Sequence, residues 1–372
     1  MRVAFVYARP REALSEEVAR SEAPDTGLLG QNHLSAYGIE AEIRSSALRR
    51  RDHRDGLAHR VTWTARELAI PLELRRYDAI CTALGPTLPL SSRAARGPRT
   101  LLFNMSLCQS LRRSRGAKRK LLAAGVRAAD AVVCFAEAQR ESLIELSGAD
   151  PERIHTVWLG TDEKFLATDE PPPAGGPVLA VGRDVGRDYR TFAEAVSTID
   201  AEIVLVASER NLKRVRLPSH VRLRLDVSAV ELRTLYEQAS CVVVPTRKEG
   251  YAYGADCSGQ TVIVDAFAMG RPVVTSERST LAGYVDNGRN GVIVPAEDPA
   301  ALREAIAAIL RDPELGRQLG AQGRRDVEER FTTSRMAESV AGILSARSVL
   351  AAPREARVGR PAFDDRVTDL GA

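Results

Sequence analysis

Ser258-Gly259-Gln260-Thr261-Val262-Ile263-Val264-Asp265-Ala266-Phe267-Ala268-Met269-Gly270-Arg271-Pro272-Val273-Val274-Thr275 reads as a small-residue turn, an apolar helix, a stop and a β-branched strand. The spacing predicts a helix that starts near Thr261 and stops at Gly270, since Pro272 forbids its continuation. The turn ahead of it leaves free backbone N–H groups at the positive end of the helix, which suits phosphate or sugar oxygens. Asp265 lies one turn inside this apolar helix. A lone carboxylate there is costly unless it is paired or reaches a ligand.

The same alternation runs outward in both directions. Strand candidates in the first half are residues 2–7, 39–43, 78–81, 100–103, 131–135 and 154–158, with a helical pattern over 111–127. Residues 169–176 hold three prolines followed by an alanine and two glycines, so they form a linker. Beyond it the strand candidates are 178–181, 203–207, 221–225, 241–244, 273–275 and 292–294. Several are continuous apolar runs, which suits parallel strands covered on both faces. Ser228 with Glu231 forms a capping box ahead of Leu232, Leu235, Tyr236 and Ala239. Asp298-Pro299 supplies a cap and first-turn proline before Leu302, Ile306 and Leu310. The expected fold is therefore α/β, with two doubly wound, Rossmann-like domains facing each other across a cleft. The expected boundaries are a first domain over 1–168, the linker 169–176, a second domain over 177–331, a final helix over 332–350 and a flexible tail over 351–372.

Composition narrows the class. The 372 residues are 44% hydrophobic and 27% charged, which excludes wholesale disorder. No apolar run approaches the ~20 residues that span a bilayer, and the run 3–8 is too short for a signal peptide. Cys81, Cys108, Cys134, Cys241 and Cys257 are scattered and form no CxxC pair. That argues against a disulfide framework or zinc site and for a reducing, cytoplasmic setting. The net charge of +4 lies within residues 1–170, most visibly in Arg112-Arg113-Ser114-Arg115-Gly116-Ala117-Lys118-Arg119-Lys120. Such a run is a solvated face, a site for anionic lipid headgroups or a site for a phosphorylated ligand. Lacking interleaved aromatics, it does not suit nucleic acid.

A second constellation, Gly182-Arg183-Asp184-Val185-Gly186-Arg187-Asp188, directly follows the strand that opens the second domain. Gly182 permits close approach to the backbone. Arg183 and Arg187 can converge on one anion, or can pair with Asp184 and Asp188 at the surface. No GxGxxG motif follows either opening strand, so a nicotinamide dehydrogenase fits poorly.

On these motifs, together with Asn287-Gly288-Arg289-Asn290-Gly291-Val292-Ile293-Val294-Pro295, the second half resembles the retaining GT-B glycosyltransferases of family 4, the glycosyl transferases group 1 type. The first half is similar in Trp158-Leu159-Gly160-Thr161-Asp162-Glu163-Lys164-Phe165, like the family's interdomain crossing, and in Asp25-Thr26-Gly27-Leu28-Leu29-Gly30, placed like its glycine loop. The resemblance implies transfer of a hexose-type sugar from a UDP- or GDP-sugar to a small-molecule, lipid or glycan acceptor. It also implies retained configuration, no metal and no cofactor.

Arg183 and Arg187 match the basic residues on the donor diphosphate. Asp265 matches the second of two glutamates eight apart, which holds the ribose. Gly27, Gly30 and Gly182 would approach the donor, and base contacts are expected at residues 226–228. The first glutamate position is occupied by Cys257, and Glu249-Gly250-Tyr251 lies too far upstream to replace it. Ser258, Gly259, Gln260 and Thr261 are therefore read as the substitute sugar cradle. Asp256 is a candidate for the missing carboxylate and Asn104 for a sugar-hydroxyl partner. His33 reads as a helix-surface histidine. Acceptor choice is expected in residues 48–60 and 106–120. The competing readings are an inactive GT-B protein that binds nucleotide-sugar or serves as a partner subunit, and a phosphorylase or epimerase. The latter needs a cofactor lysine or paired carboxylates that no motif here supplies.

Overall fold

The computed structural model describes residues 1–7, 10–44, 69–83 and 85–346. The expected tail 351–372 and the expected acceptor loop 48–60 lie outside the described residues. Six parallel strands form the first sheet: β1 (Arg2–Val6), β2 (Glu40–Ile43), β3 (Ala79–Thr82), β4 (Arg99–Phe103), β5 (Ala131–Cys134) and β6 (Ile154–Thr156), in the order β2-β1-β3-β4-β5-β6. The second sheet holds β7 (Val178–Val181), β8 (Ile203–Val206), β9 (Val221–Arg224), β10 (Cys241–Val244), β11 (Val273–Ser276) and β12 (Gly291–Val294), in the order β12-β11-β10-β7-β8-β9. Each sheet is doubly wound, as the alternating pattern predicts. The β-branched runs of β7, β8, β10 and β11 are buried throughout, because helices cover both faces.

In the second sheet the chain order reverses between β7 and β10, which pair in register from Val178 against Cys241. A crevice therefore opens beyond Val181 and Val244, where ligands of such sheets bind. The helix Gln260–Ala268 runs back from this crevice and stops at Gly270, in the left-handed region at φ 64°, as read from Gly270 and Pro272. Eight of its nine residues are buried, and the helix Pro313–Arg330 packs on it closely enough that a Cβ at Gly323 would strike the Phe267 ring.

One feature differs from the sequence reading. The helical pattern over 111–127 is two helices, Leu107–Arg113 and Gly116–Ala128, separated by extended Ser114 and Arg115 and by Gly116 at φ 55°. A Cβ at Gly125 would collide with the Pro86 carbonyl, so the second helix lies directly on that turn. The final helix, Thr333–Ser345, returns to the first domain and packs on the 3-10 turn Gln31–Tyr37.

The chain thus crosses between domains twice, and the crossings touch. Thr161 N–H donates to the Phe331 carbonyl and Thr333 N–H to the Thr161 carbonyl, at 2.8 and 3.0 Å. The linker is pinned as well. Buried Arg271 donates to the Met269 carbonyl at 2.7 Å and to the Glu170 carbonyl, and burial pushes its pKa down to about 10.

Gly160 lies where the crossings meet, and a Cβ there would collide with the Thr332 carbonyl. Gly160→Ala should cost about 1–3 kcal/mol, as for other overpacked sites. Urea unfolding should show a lowered midpoint; an unchanged one would mean that the crossings do not constrain each other.

Candidate functional site

The site is built on the crevice at the ends of β7 and β10. Gly182 ends β7, and the Arg187 side chain passes so close beneath it that a Cβ would collide with Nε. Asp184 and Asp188, the surface partners that the spacing allows for the arginines, are engaged elsewhere. Asp184 accepts from the Gly186 and Ala255 N–H groups at 2.8 and 3.0 Å. Asp188 caps the helix Tyr189–Val196 and pairs with Arg247 at 3.2 Å.

Arg187 is 6% exposed, and its Nε and Nη1 have no hydrogen-bond partner among the described residues. Burial lowers its pKa from the ordinary arginine value. An ion removed from water without a counter-charge costs several kcal/mol. Asp184 acts on it only at a distance, and no salt bridge to Arg187 forms among the described residues.

The helix start completes the pocket. Gly259, at φ 111°, sits so that a Cβ would lie 3.0 Å from Arg187 Nη1, and no larger residue fits without a shift. The Ser258 and Thr246 hydroxyls, the Tyr236 hydroxyl, Gln260 Oε1, the Thr280 hydroxyl and Arg278 Nε are likewise buried without partners. Native interiors leave few such groups. Six beside one buried cation mark a polar cradle that a ligand would fill. Gln260 Nε2 donates across the cleft to the Phe135 carbonyl at 3.2 Å and within its own domain to Thr280 at 2.7 Å. Thr261 is exposed on the first turn.

Asp265 lies deeper in the helix. The Thr161 hydroxyl of the crossing donates to its Oδ1 at 2.5 Å. Burial pushes its carboxyl up to about 7, with Thr161 pulling down and nearby Asp162 adding to the rise.

Several predicted residues are not brought to the cradle. Arg183 does not converge with Arg187. Its side chain is 53% exposed, 4.0 Å from Asp226 past the end of β9, while Arg187 turns toward β10. The cause is the chain path: Gly186 packs under Ser258 and carries Arg187 inward. Gly30 faces the final helix, with Ala337 3.1 Å from where a Cβ would be, so its glycine serves packing. Gly27 lies against Leu14.

Asn104 is fully buried: its Oδ1 accepts from Leu107 N–H at 2.8 Å and its Nδ2 faces Cys108 and Cys134. It caps a helix and has no free group for a sugar. Both oxygens of Asp256 accept from first-domain N–H groups, so it does not stand in for the missing glutamate. The Cys257 thiol is pushed well up by burial. Glu249 holds Ser279, with the hydroxyl donating at 2.9 Å. At residues 226–228, Asp226 is solvated and Ser228 is committed to its capping box.

His33 is not a free surface residue. It lies 2.6 Å from Asp25, which raises its pKa. Burial favours a raised pKa for Asp25, but bonds from His33, Asn32 and Thr333 outweigh it and hold the carboxyl below its usual range. Thr246, Tyr236, Arg278 and Thr280 escape sequence reading. Only Thr246 carried a signal, its place just past a central strand. Among the described residues no three His, Cys, Asp or Glu side chains are grouped to hold a metal ion.

Comparison with known proteins bears on this cradle. Residues 177–312 match the family model of glycosyl transferases group 1. That span contains every cradle residue. The chain is 28% identical over 255 residues to D-inositol 3-phosphate glycosyltransferase 2 of Catenulispora acidiphila, covering 59% of this chain and 57% of that protein. It is 26% identical over 249 residues to the alpha-maltose-1-phosphate synthase of Mycolicibacterium smegmatis, covering 57% and 62%. The chain thus aligns with less than two thirds of the length of either relative. The Anabaena Alr3699/HepE structure in complex with UDP-glucose superposes with a TM-score of 0.66 at 14% identity, over 93% of this chain and 99% of that one. The fold is GT-B.

The Asp265 proton yields a test. The folded state keeps it up to about pH 7, whereas an unfolded aspartate releases it near about pH 4. Wild-type stability should therefore fall as pH rises through that window. Asp265→Asn should gain stability relative to wild type between these values and level off above them. Thermal melts across pH would show it; parallel curves would remove the shift.

Proposed function

We propose that this chain is a hexosyltransferase-type glycosyltransferase, moving a sugar from a nucleoside-diphosphate sugar to an acceptor with retained configuration and without a metal. The observation that carries this is the buried, unpartnered Arg187 guanidinium at the head of the helix Gln260–Ala268. A diphosphate seated there meets a forked cation, the helix start and the Ser258 and Thr246 hydroxyls. It supplies the anion whose absence makes the site costly. As the sugar–phosphate bond breaks, charge grows on the leaving phosphate, and a fixed guanidinium in a dry site stabilises that charge most when it is largest. The acceptor oxygen attacks from the face that the phosphate leaves, and a donor phosphate oxygen takes its proton. UDP-glucose in the Anabaena structure supports a nucleotide-sugar donor. The two relatives, named for inositol 3-phosphate and maltose-1-phosphate, support a small phosphorylated participant.

Arg187→Met should raise the unliganded melting midpoint, since it removes an unpaired buried charge, and should abolish stabilisation by UDP or GDP. Turnover should fall about ten- to hundredfold, the worth of one charge-assisted hydrogen bond at ~1.5–3 kcal/mol. Arg183→Ala, at the surface, should change turnover less. Intact nucleotide binding in Arg187→Met refutes the donor site.

Cys257 at the glutamate position favours a second reading, a nucleotide-sugar-binding protein without transfer. Donor hydrolysis in the absence of acceptor separates the two: released nucleotide means working chemistry.

The basic run gives the acceptor side a partner. Arg112, Arg115, Lys118, Arg119 and Lys120 are exposed, and Leu121 beside them is 50% exposed. No helix among the described residues is long and apolar enough to cross a membrane. We read this face as a contact for an anionic lipid surface. At ~1 kcal/mol per cation, Lys118→Glu with Lys120→Glu should weaken binding to phosphatidylglycerol vesicles by about thirtyfold or more. Binding that survives both the charge reversal and high salt counts against this face.

A further inference from the structure

The helix Leu107–Arg113 belongs to the first domain, yet the second domain completes its start. Ser106, at the cap position, makes no side-chain cap bond. Leu107 N–H is taken by Asn104, whereas Cys108 and Gln109 N–H donate to Asp256 Oδ2 and Oδ1 at 3.0 and 2.9 Å. Two further contacts run the same way. Gln109 Nε2 donates to the Tyr251 carbonyl at 2.7 Å, and the Arg113 guanidinium lies 4.8 Å from the Tyr253 ring centroid.

The loop that reaches across is the segment between β10 and the helix Gln260–Ala268. Gln139 Nε2 of the first domain also donates to Asp256 Oδ2 at 3.5 Å, while within its own domain Ala255 N–H donates to Asp184 at 3.0 Å and the Asp256 carbonyl accepts from Arg278 at 3.3 Å. Two residues after Asp256 comes Ser258, then Gly259 against Arg187. The same short stretch therefore holds the first domain with one side chain and the anion pocket with the next.

We infer that Asp256 is a positioning residue that fastens the first domain to the Ser258-Gly259 turn, so that the pocket around Arg187 is fully formed only when the domains are closed. The affinity arm of the test rests on the donor reading above; the shape arm does not. A carboxylate that accepts two backbone N–H groups makes charge-assisted bonds, about twice as strong as neutral ones. Asparagine at this position would turn an amide N–H toward one of those donors. Glutamate keeps both acceptors on a longer arm.

The experiment uses the full chain as wild type, Asp256→Ala, Asp256→Glu and Gln109→Ala, measured by small-angle scattering and by titration with UDP and GDP. Without nucleotide, Asp256→Ala should show a larger radius of gyration than wild type, and saturating nucleotide should reverse it. Its nucleotide Kd and donor KM should rise about tenfold, with kcat at saturating donor within about twofold of wild type. Asp256→Glu should recover most of the affinity, and Gln109→Ala should shift the shape in the same direction by less.

Wild-type scattering and Kd in Asp256→Ala would overturn the inference. So would an equal loss of melting temperature in the Ala and Glu variants with unchanged nucleotide affinity, since that is a purely structural role. If wild type binds neither nucleotide, the donor reading fails, and the scattering comparison alone decides whether Asp256 holds the domains together.

Discussion

A guanidinium buried without a counter-charge is the constraint around which the second domain is arranged. Arg187 reaches its position because Gly182 leaves room above it, Gly259 leaves room beside it and Gly186 lets the turn pass under Ser258. A side chain at Gly182 or Gly259 would press on the cation, and one at Gly186 would press on Asp184 and Ser258. The two aspartates that flank Arg187 in sequence are drawn off, one to the loop at Ala255 and the other to Arg247. The result is a buried positive charge with no salt-bridge partner among the described residues, set at the positive end of a helix. Burying such a charge costs stability.

The second domain does not act alone. Asp265 receives the Thr161 hydroxyl from one crossing, and the other crossing returns through Thr332 and Thr333 to the first domain. There the final helix meets Gly30, and Thr333 approaches the Asp25–His33 pair. Two groups stand out among the residues that a donor-centred reading assigns to substrate. Arg187, Ser258 and Gly259 face the pocket. Asp256, Asn104 and Gly30 hold the domains or their helices in place. Gln260 belongs to both, with its amide N–H on the opposite domain and its oxygen free.

The strands, the linker and the cradle helix were legible because each has a local cause. β-branched runs, a proline–glycine cluster and the Gly270-Arg271-Pro272 stop act within a few residues of chain. The break at Ser114-Arg115 was less legible. Its backbone marks, extended Ser114 and Arg115 and left-handed Gly116, do not show in the apolar spacing. The pairing of Arg183 with Arg187 misled for a related reason. Four residues of sequence separation permit convergence, but the turn between them sends one side chain toward Asp226 and the other under Gly182.

By itself the sequence determined two doubly wound α/β domains and the helix that begins at a glycine turn. These follow from residue type and short-range order. Only the tertiary structure decided which polar groups remain without partners. That is a property of what else arrives at the same point: Thr161 at Asp265, the helix Leu107–Arg113 at Asp256, and no partner at all for Nε and Nη1 of Arg187. The cost of burying a charge depends on its full surroundings, and those surroundings are assembled from segments as far apart as Cys108 and Asp256.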